Sequence, residues 1–223
     1  MKEVKFSRKY YPLFLVIPLS SLLYYIKRMD SIEVVLSFIL YVAVSFILMV
    51  LLWEFISLID SRYDIKKLSV TAVTAAVLVI LDQLIKLVLY YNTGFETGIF
   101  GRLFMIKQTN NINQTGLFNF LNIEITQAHA IIFKTVILAV IICFYWLCKT
   151  EMLKKSLTLL IAAAAANILD SVFYGYTLDY VHFYRITTYD LKDFYVDVGV
   201  SAFILCILIN ENNKSKIKNK KEF

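Results

Sequence analysis

The stretch Ala162-Ala163-Ala164-Ala165-Ala166-Asn167-Ile168-Leu169-Asp170, with Gly175-Tyr176-Thr177-Leu178-Asp179 just beyond it, decides how this chain is read. Residues 157 to 173 are apolar over nearly the length that carries a helix across a bilayer. Asn167 and Asp170, three apart, put polar groups on one face near the end of that helix. A carboxylate beside hydrocarbon costs several kcal/mol unless it is paired, hydrated or protonated, so these side chains must turn towards other helices. The alanines let those helices approach closely. Gly175 permits the turn that ends the segment, and Asp179 follows among apolar neighbours.

Working outward, the chain has 59% hydrophobic and only 18% charged residues, which excludes an ordinary soluble domain. Six stretches, 10 to 27, 34 to 58, 68 to 91, 128 to 148, 157 to 173 and 194 to 210, approach the roughly 20 apolar residues of a membrane helix. They predict an all-α polytopic membrane protein with six transmembrane helices. The first is preceded by Lys2, Lys5, Arg8 and Lys9 but ends in Tyr24-Tyr25-Ile26-Lys27-Arg28, which lacks a small-residue cleavage pattern and reads as an uncleaved anchor. Fifteen Lys and Arg fall before residue 10, at 62 to 67, at 149 to 155 and in the tail, against six in the other connecting segments. That asymmetry predicts both termini in the cytoplasm and the loops 92 to 127 and 174 to 193 outside. It also accounts for the net charge of +6 without a nucleic-acid partner; anionic membrane lipid is partner enough. Cys143, Cys148 and Cys206 have no Cys-x-x-Cys spacing, and His129 and His182 have no clustered partner, so no metal site or cofactor is predicted.

The polar run Asp60-Ser61-Arg62-Tyr63-Asp64-Ile65-Lys66-Lys67 marks a boundary between an N-terminal two-helix extension, 1 to 60, and a core, 68 to 210; a basic tail, 211 to 223, follows. In the extension Tyr24, Tyr25, Trp53 and Glu54 lie towards segment ends, where amphipathic groups belong. In the core Asp82 and Lys86 stand four apart on one helical face, about 13 Å in from Tyr91. They either form an ion pair that makes the helix tolerable or face the bundle and orient polar groups there. The loop from 92 to 127, with Asn113 and Gly116 in a polar turn before Leu117-Phe118, reads equally as a small sheet cradle on the membrane or as a plain surface loop.

A second acidic cluster, Asp190, Asp193 and Asp197, leads into the last apolar segment, and thirteen residues separate Asp179 from Asp193. One loop joins the two helices, so their ends are neighbours and the carboxylates can converge. Two carboxylates in hydrogen-bond range cannot both ionise cheaply: one keeps a proton while the other acts as base on water, the aspartic protease arrangement. Paired acids in membrane proteins also bind cations or relay protons.

These residues resemble the lipoprotein signal peptidase (signal peptidase II) family. Its pattern is Asp-Gln-x-x-Lys, Asn-x-Gly, Gly-Asn-x-x-Asp-Arg, Gly-x-Val-Val-Asp-Phe and Phe-Asn-x-Ala-Asp. Asp82-Gln83-Leu84-Ile85-Lys86 fits the first element. Asn113-Gln114-Thr115-Gly116 has one residue too many for the second. Ala166-Asn167-Ile168-Leu169-Asp170-Ser171 departs from the third in its leading Ala and in Ser171, where the family has an Arg that helps hold substrate; Lys192 or Arg185 is a candidate for that charge. Gly175-Tyr176-Thr177-Leu178-Asp179-Tyr180 follows the fourth. Tyr189-Asp190-Leu191-Lys192-Asp193 follows the fifth with Asp190 for Asn, and Gly199 stands six residues beyond Asp193. Asp193 is the better match, with Asp197 as the alternative.

The resemblance spans 68 to 210 and implies a four-helix peptidase core in the bacterial cytoplasmic membrane. Asp179 and Asp193 would be the catalytic pair on the extracytoplasmic side. Asn167, Asp170, Asn113, Gly116, Asp190, Lys192, Asp82 and Lys86 would bind or support. It implies an intramembrane aspartic endopeptidase that cleaves signal peptides from diacylglyceryl-modified prolipoproteins, working as a monomer without cofactor. The departures leave open a catalytically inactive relative that binds lipoproteins or a membrane partner. A small ion or solute transporter using Asp82, Asp170 and Asp179 as its polar path is the third class.

Overall fold

The computed structural model describes residues 8–92, 94–111 and 126–219, and within them the protein is mostly helical with one small sheet. The first apolar stretch, expected as one helix over 10 to 27, is helical but in pieces. A 3-10 segment Arg8–Leu15 is followed by α1 (Val16–Ser20), α2 (Leu22–Tyr25) and a 3-10 turn Ile26–Arg28. Pro12 and Pro18 lie within these pieces, and a residue without an amide N–H cannot continue the helical ladder. Five long helices follow: α3 (Ile32–Tyr63), α4 (Leu68–Tyr91), α5 (Gln127–Leu147), α6 (Glu151–Phe173) and α7 (Leu191–Asn219). The first four of these are long and apolar enough to cross a membrane, and α7 contains the apolar stretch 194 to 210.

Two boundaries differ from expectation for a common reason. Helix α3 runs on to Tyr63 and α6 begins at Glu151, because charged residues assigned to loops are paired inside the fold. Lys155 Nζ lies 2.7 Å from Asp60 and 2.8 Å from Glu151, joining the end of α3 to the start of α6. Trp53 faces inward, and the half-exposed Glu54 also meets the N-terminal segment. Trp53 is buried against Phe14, and Glu54 accepts a hydrogen bond from Tyr11, so the broken N-terminal segment is packed on α3.

Helix α6 is central, with α4, α5 and α7 against it. Its Ala162, Ala163 and Ala166 are buried, and they let Leu78 of α4 and Val198 and Ala202 of α7 share one core with Met49 and Ile56 of α3. Gly199 of α7 packs tightly against α6. A methyl group there would stand 2.8 Å from Leu160 side-chain carbons and 3.1 Å from the Ser156 carbonyl oxygen. Gly199→Ala therefore forces α6 and α7 apart. It should cost about 1–3 kcal/mol, read as a lower thermal midpoint in detergent; an unchanged midpoint would contradict this packing.

The sheet sits at one end of the bundle, with antiparallel order β1 (Glu96–Gly98), β2 (Phe104–Asn111), β3 (Thr177–Phe183) and β4 (Thr187–Tyr189). This decides between the two readings of the 92 to 127 loop as far as residue 111; Asn113 and Gly116 lie outside the described residues. Gly175, at φ +76, takes the left-handed conformation that ends α6 and sends the chain into β3, as its sequence position suggests. Strand β3 pairs with both β2 and β4, with Thr109 opposite Asp179. The sheet thereby carries Asp179 to the head of α7.

Candidate active site

The start of α7 is built as a reciprocal cap. Asp190 is the residue before the helix, and its Oδ1 accepts the Asp193 backbone N–H at 3.1 Å. Asp193 Oδ2 accepts the Asp190 N–H at 3.1 Å in return. The cap satisfies two otherwise orphan donors and fixes the Asp193 side chain against the helix end. Tyr180 of β3 adds its hydroxyl oxygen as acceptor for the Leu191 N–H at 3.0 Å.

Beneath this cap lies a buried ionic cluster. Lys86 Nζ is 2.8 Å from Asp82, 2.7 Å from Asp170 and 2.7 Å from Asp190, and all four side chains are fully buried. Lys192 bonds Asp190 and lies 3.2 Å from Asp170. Gln83 Nε2 donates to Asp170 at 2.8 Å and to Asp82 at 3.1 Å. Asp82 and Lys86 thus form an intrahelical pair and also orient groups on α6 and α7, so both readings of the pair hold together. Burial works to raise the Asp190 pKa, but Lys192 and then Lys86 outweigh it and hold that carboxyl below its ordinary range.

Asp179, Asp190 and Asp193 each bring a carboxylate oxygen within 4.8 Å of the others, in the one such acidic group among the described residues. That spacing would suit a metal ion. However, Asp190 has both oxygens engaged, one by the Asp193 N–H and the other by two lysines, so a cation's place beside it is taken by ammonium groups. Asp179 and Asp193 are less committed. Thr188 donates to Asp179 Oδ2 at 3.0 Å, with Asn111 at 3.5 Å, while Asp179 Oδ1 has no partner among the described residues. Asp193 is partly exposed, in contrast to the buried Asp190. Asp197 lies outside this group.

Burial pushes the Asp179 carboxyl up to about 6, with Lys192 opposing and Asp190 reinforcing the shift. The unfolded chain loses this proton near 3.8, so the fold gains from the group below that value and loses the gain as pH rises through about 6. Over about two units the penalty is about 3 kcal/mol. Asp179→Asn should therefore raise the thermal midpoint above wild type at pH 8 and leave it near wild type at pH 4. A midpoint difference that does not change with pH would contradict this environment.

Two further placements matter. Lys134 on α5 is buried and donates to Ser171 Oγ at 2.6 Å and to the Asn167 carbonyl at 3.4 Å. The Asn167 Oδ1 beside it has no partner among the described residues. Arg185, by contrast, is at the β3–β4 turn, 2.9 Å from Asp30, and Lys192 lies in the carboxylate cluster. The only sequence signal for Lys134 was the cost of a cation in an otherwise apolar α5. Between α4 and α6 an apolar groove of about 430 Å³, lined by Ile80, Leu84, Leu87, Leu169 and Phe173, reaches Gln83 at the edge of the cluster.

A family model described as signal peptidase (SPase) II matches residues 74–209. Among solved structures, a bacterial membrane enzyme determined by the in meso method at 2.3 Å is similar with a TM-score of 0.55 and 20% identity. It is matched over 66% of this chain and 92% of its own. A second bacterial membrane enzyme, solved by the same method at 1.9 Å, has a TM-score of 0.52 and 19% identity over 63% of this chain and 94% of its own. At such identities the likeness is one of fold. No curated protein matches the chain significantly.

Proposed function

The chain belongs to the signal peptidase II family, and from that premise we propose that it is an aspartic endopeptidase in which Asp179 and Asp193 activate water. The observation that carries this reading is the meeting of these two carboxylates at the head of α7, one pinned by a helix cap and one held on a strand. One carboxylate, ionised, takes a proton from water as the oxygen attacks the scissile carbonyl carbon. The other, protonated, donates to the carbonyl oxygen. As the tetrahedral intermediate collapses, the C–N bond breaks and the departing nitrogen takes the proton from the first carboxyl. Asp82, Asp170 and Asp190 pair with Lys86 and Lys192, and Asp179 and Asp193 stand beside Asp190, so that five acids to two lysines favour a shared proton on the pair.

The substrate is a diacylglyceryl-modified prolipoprotein presented from the lipid, with Asn167, Asp170, Asn113 and Gly116 around the scissile segment. Lys134 at Ser171 supplies the cation that the family pattern carries there as Arg. The distribution of basic residues supports both termini in the cytoplasm and the sheet on the extracytoplasmic side of a bacterial cytoplasmic membrane. Residues 1 to 60 form an extension, 68 to 210 the catalytic core and 211 to 223 a basic tail. The test is cleavage of several diacylglyceryl-modified precursors by the purified full chain in lipid. Release of the signal peptide before the modified Cys is expected; inertness on all of them would overturn the proposal.

A further inference from the structure

The family match begins at residue 74, so α3 lies outside it, yet α3 touches the sheet end at four successive points. Asp30, just before the helix, pairs with Arg185 at the β3–β4 turn. Glu33 pairs with Arg102, and the buried Ser37 donates to the Leu103 carbonyl at 2.9 Å. Tyr41, 1% exposed, places its hydroxyl 3.1 Å from that of Tyr189 and its ring 5.4 Å from Phe183. Glu33, Ser37 and Tyr41 are spaced by four and so share one helical face. Val34, Phe38 and Tyr41 form with Phe183 and Ile186 a hydrophobic cluster of their own, separate from the main core.

Tyr189 is the critical contact, because it immediately precedes the cap residue Asp190. Its ring packs on Phe194, 5.2 Å away and next to Asp193 in the first turn of α7. Its hydroxyl is paired with that of Tyr41, and either can be the donor. Contacts therefore run from α3 through the end of β4 to the first turn of α7, where Asp190 and Asp193 form the cap. The exposed pairs at Asp30 and Glu33 are worth little on their own. A part-buried hydroxyl pair is directional, and losing one member removes the other's partner.

We propose that Tyr41, from the N-terminal extension, is a positioning residue for the catalytic pair: through Tyr189 it clamps the β3–β4 hairpin to α7 and so sets the separation of Asp179 and Asp193. The inference rests on the dyad assignment made above for its effect on cleavage, but the clamp itself is measurable without it. Tyr41→Phe, which keeps the ring and removes only the hydroxyl, is expected to lower kcat about 10-fold with KM within twofold. Amide exchange over residues 177–190 should become about 10-fold faster, with little change in thermal midpoint.

Tyr189→Phe should do the same, and the double variant should be no worse than either single one, since one bond is lost in each case. Losses that multiply in the double variant, or wild-type kcat and exchange in Tyr41→Phe, would overturn the clamp. If wild type proves inert on every precursor, the exchange measurement still decides it: unchanged protection of 177–190 in Tyr41→Phe sinks it. If Tyr41→Phe yields no folded protein, Tyr189→Phe breaks the same contact from the other side and is read by the same criteria.

Discussion

Asp179→Asn and Asp193→Asn should each lower kcat on a diacylglyceryl-modified precursor by about 10³-fold or more, with KM changed little. Asn is nearly isosteric and keeps the local contacts: at 179 it still accepts from Thr188, and at 193 it still accepts the Asp190 N–H. What it cannot do is take a proton from water or return one, so the loss falls on the chemical step. Asp179→Asn/Asp193→Asn should be little worse than either single variant, because two groups that share one proton act as a unit. Asp197→Asn should keep most activity, since its carboxylate lies outside the group formed by Asp179, Asp190 and Asp193. An active Asp193→Asn beside an inactive Asp197→Asn would overturn the assignment.

Asp190→Asn separates charge from geometry at the same place. Asn is as good a cap as Asp, so it would still accept the Asp193 N–H and hold the head of α7. It would, however, withdraw a negative charge from between Lys86 and Lys192. The charge at 190 should therefore tune the proposed pair next to it, while the cap contacts remain.

Much of this was legible in the sequence because lipid makes polar residues conspicuous. Helix α4 has the bounds its apolar run suggested, and Asp82 with Lys86 could be paired from spacing alone, since four residues always return to one face. The meeting of Asp170 and Asp190 on that same lysine was not readable from spacing. It depends on which helix packs beside which, and only the family pattern linked the three. The Asp190-Leu191-Lys192-Asp193 cap was present as a helix-start signature, hidden by the apolar count that placed the helix start at 194. The roles of Lys134 and Tyr41 could not be read at all. Each acts through a residue more than 35 positions away, and a lone lysine or tyrosine in an apolar run looks the same whether it faces lipid, a hydroxyl or nothing.

The second large effect is on folding. Lys86→Met leaves Asp82, Asp170 and Asp190 without the ammonium group that all three share, inside a region with no solvent exposure. Breaking one buried pair by removing a partner costs about 3–5 kcal/mol, which is already a large part of a typical fold's net stability. Here Lys192 can still reach Asp170 and Asp190, but Asp82 keeps only Gln83 and the Lys192 backbone N–H. The expected result is loss of folded protein from the membrane fraction, or a steep drop in thermal midpoint. Adding Asp82→Asn should recover part of it, because the carboxylate left worst off is then neutral. Lys86→Arg is the informative companion. It keeps the charge, so the protein should fold, but the planar guanidinium cannot place one nitrogen against three carboxylates at once, and Asp190 must shift. As Asp190 caps α7 through Asp193, that shift should appear as reduced kcat in a stable protein. A Lys86→Met variant that melts within a few degrees of wild type would show that the cluster neutralises itself by protonation, and the lysine would then no longer account for the fold of the site.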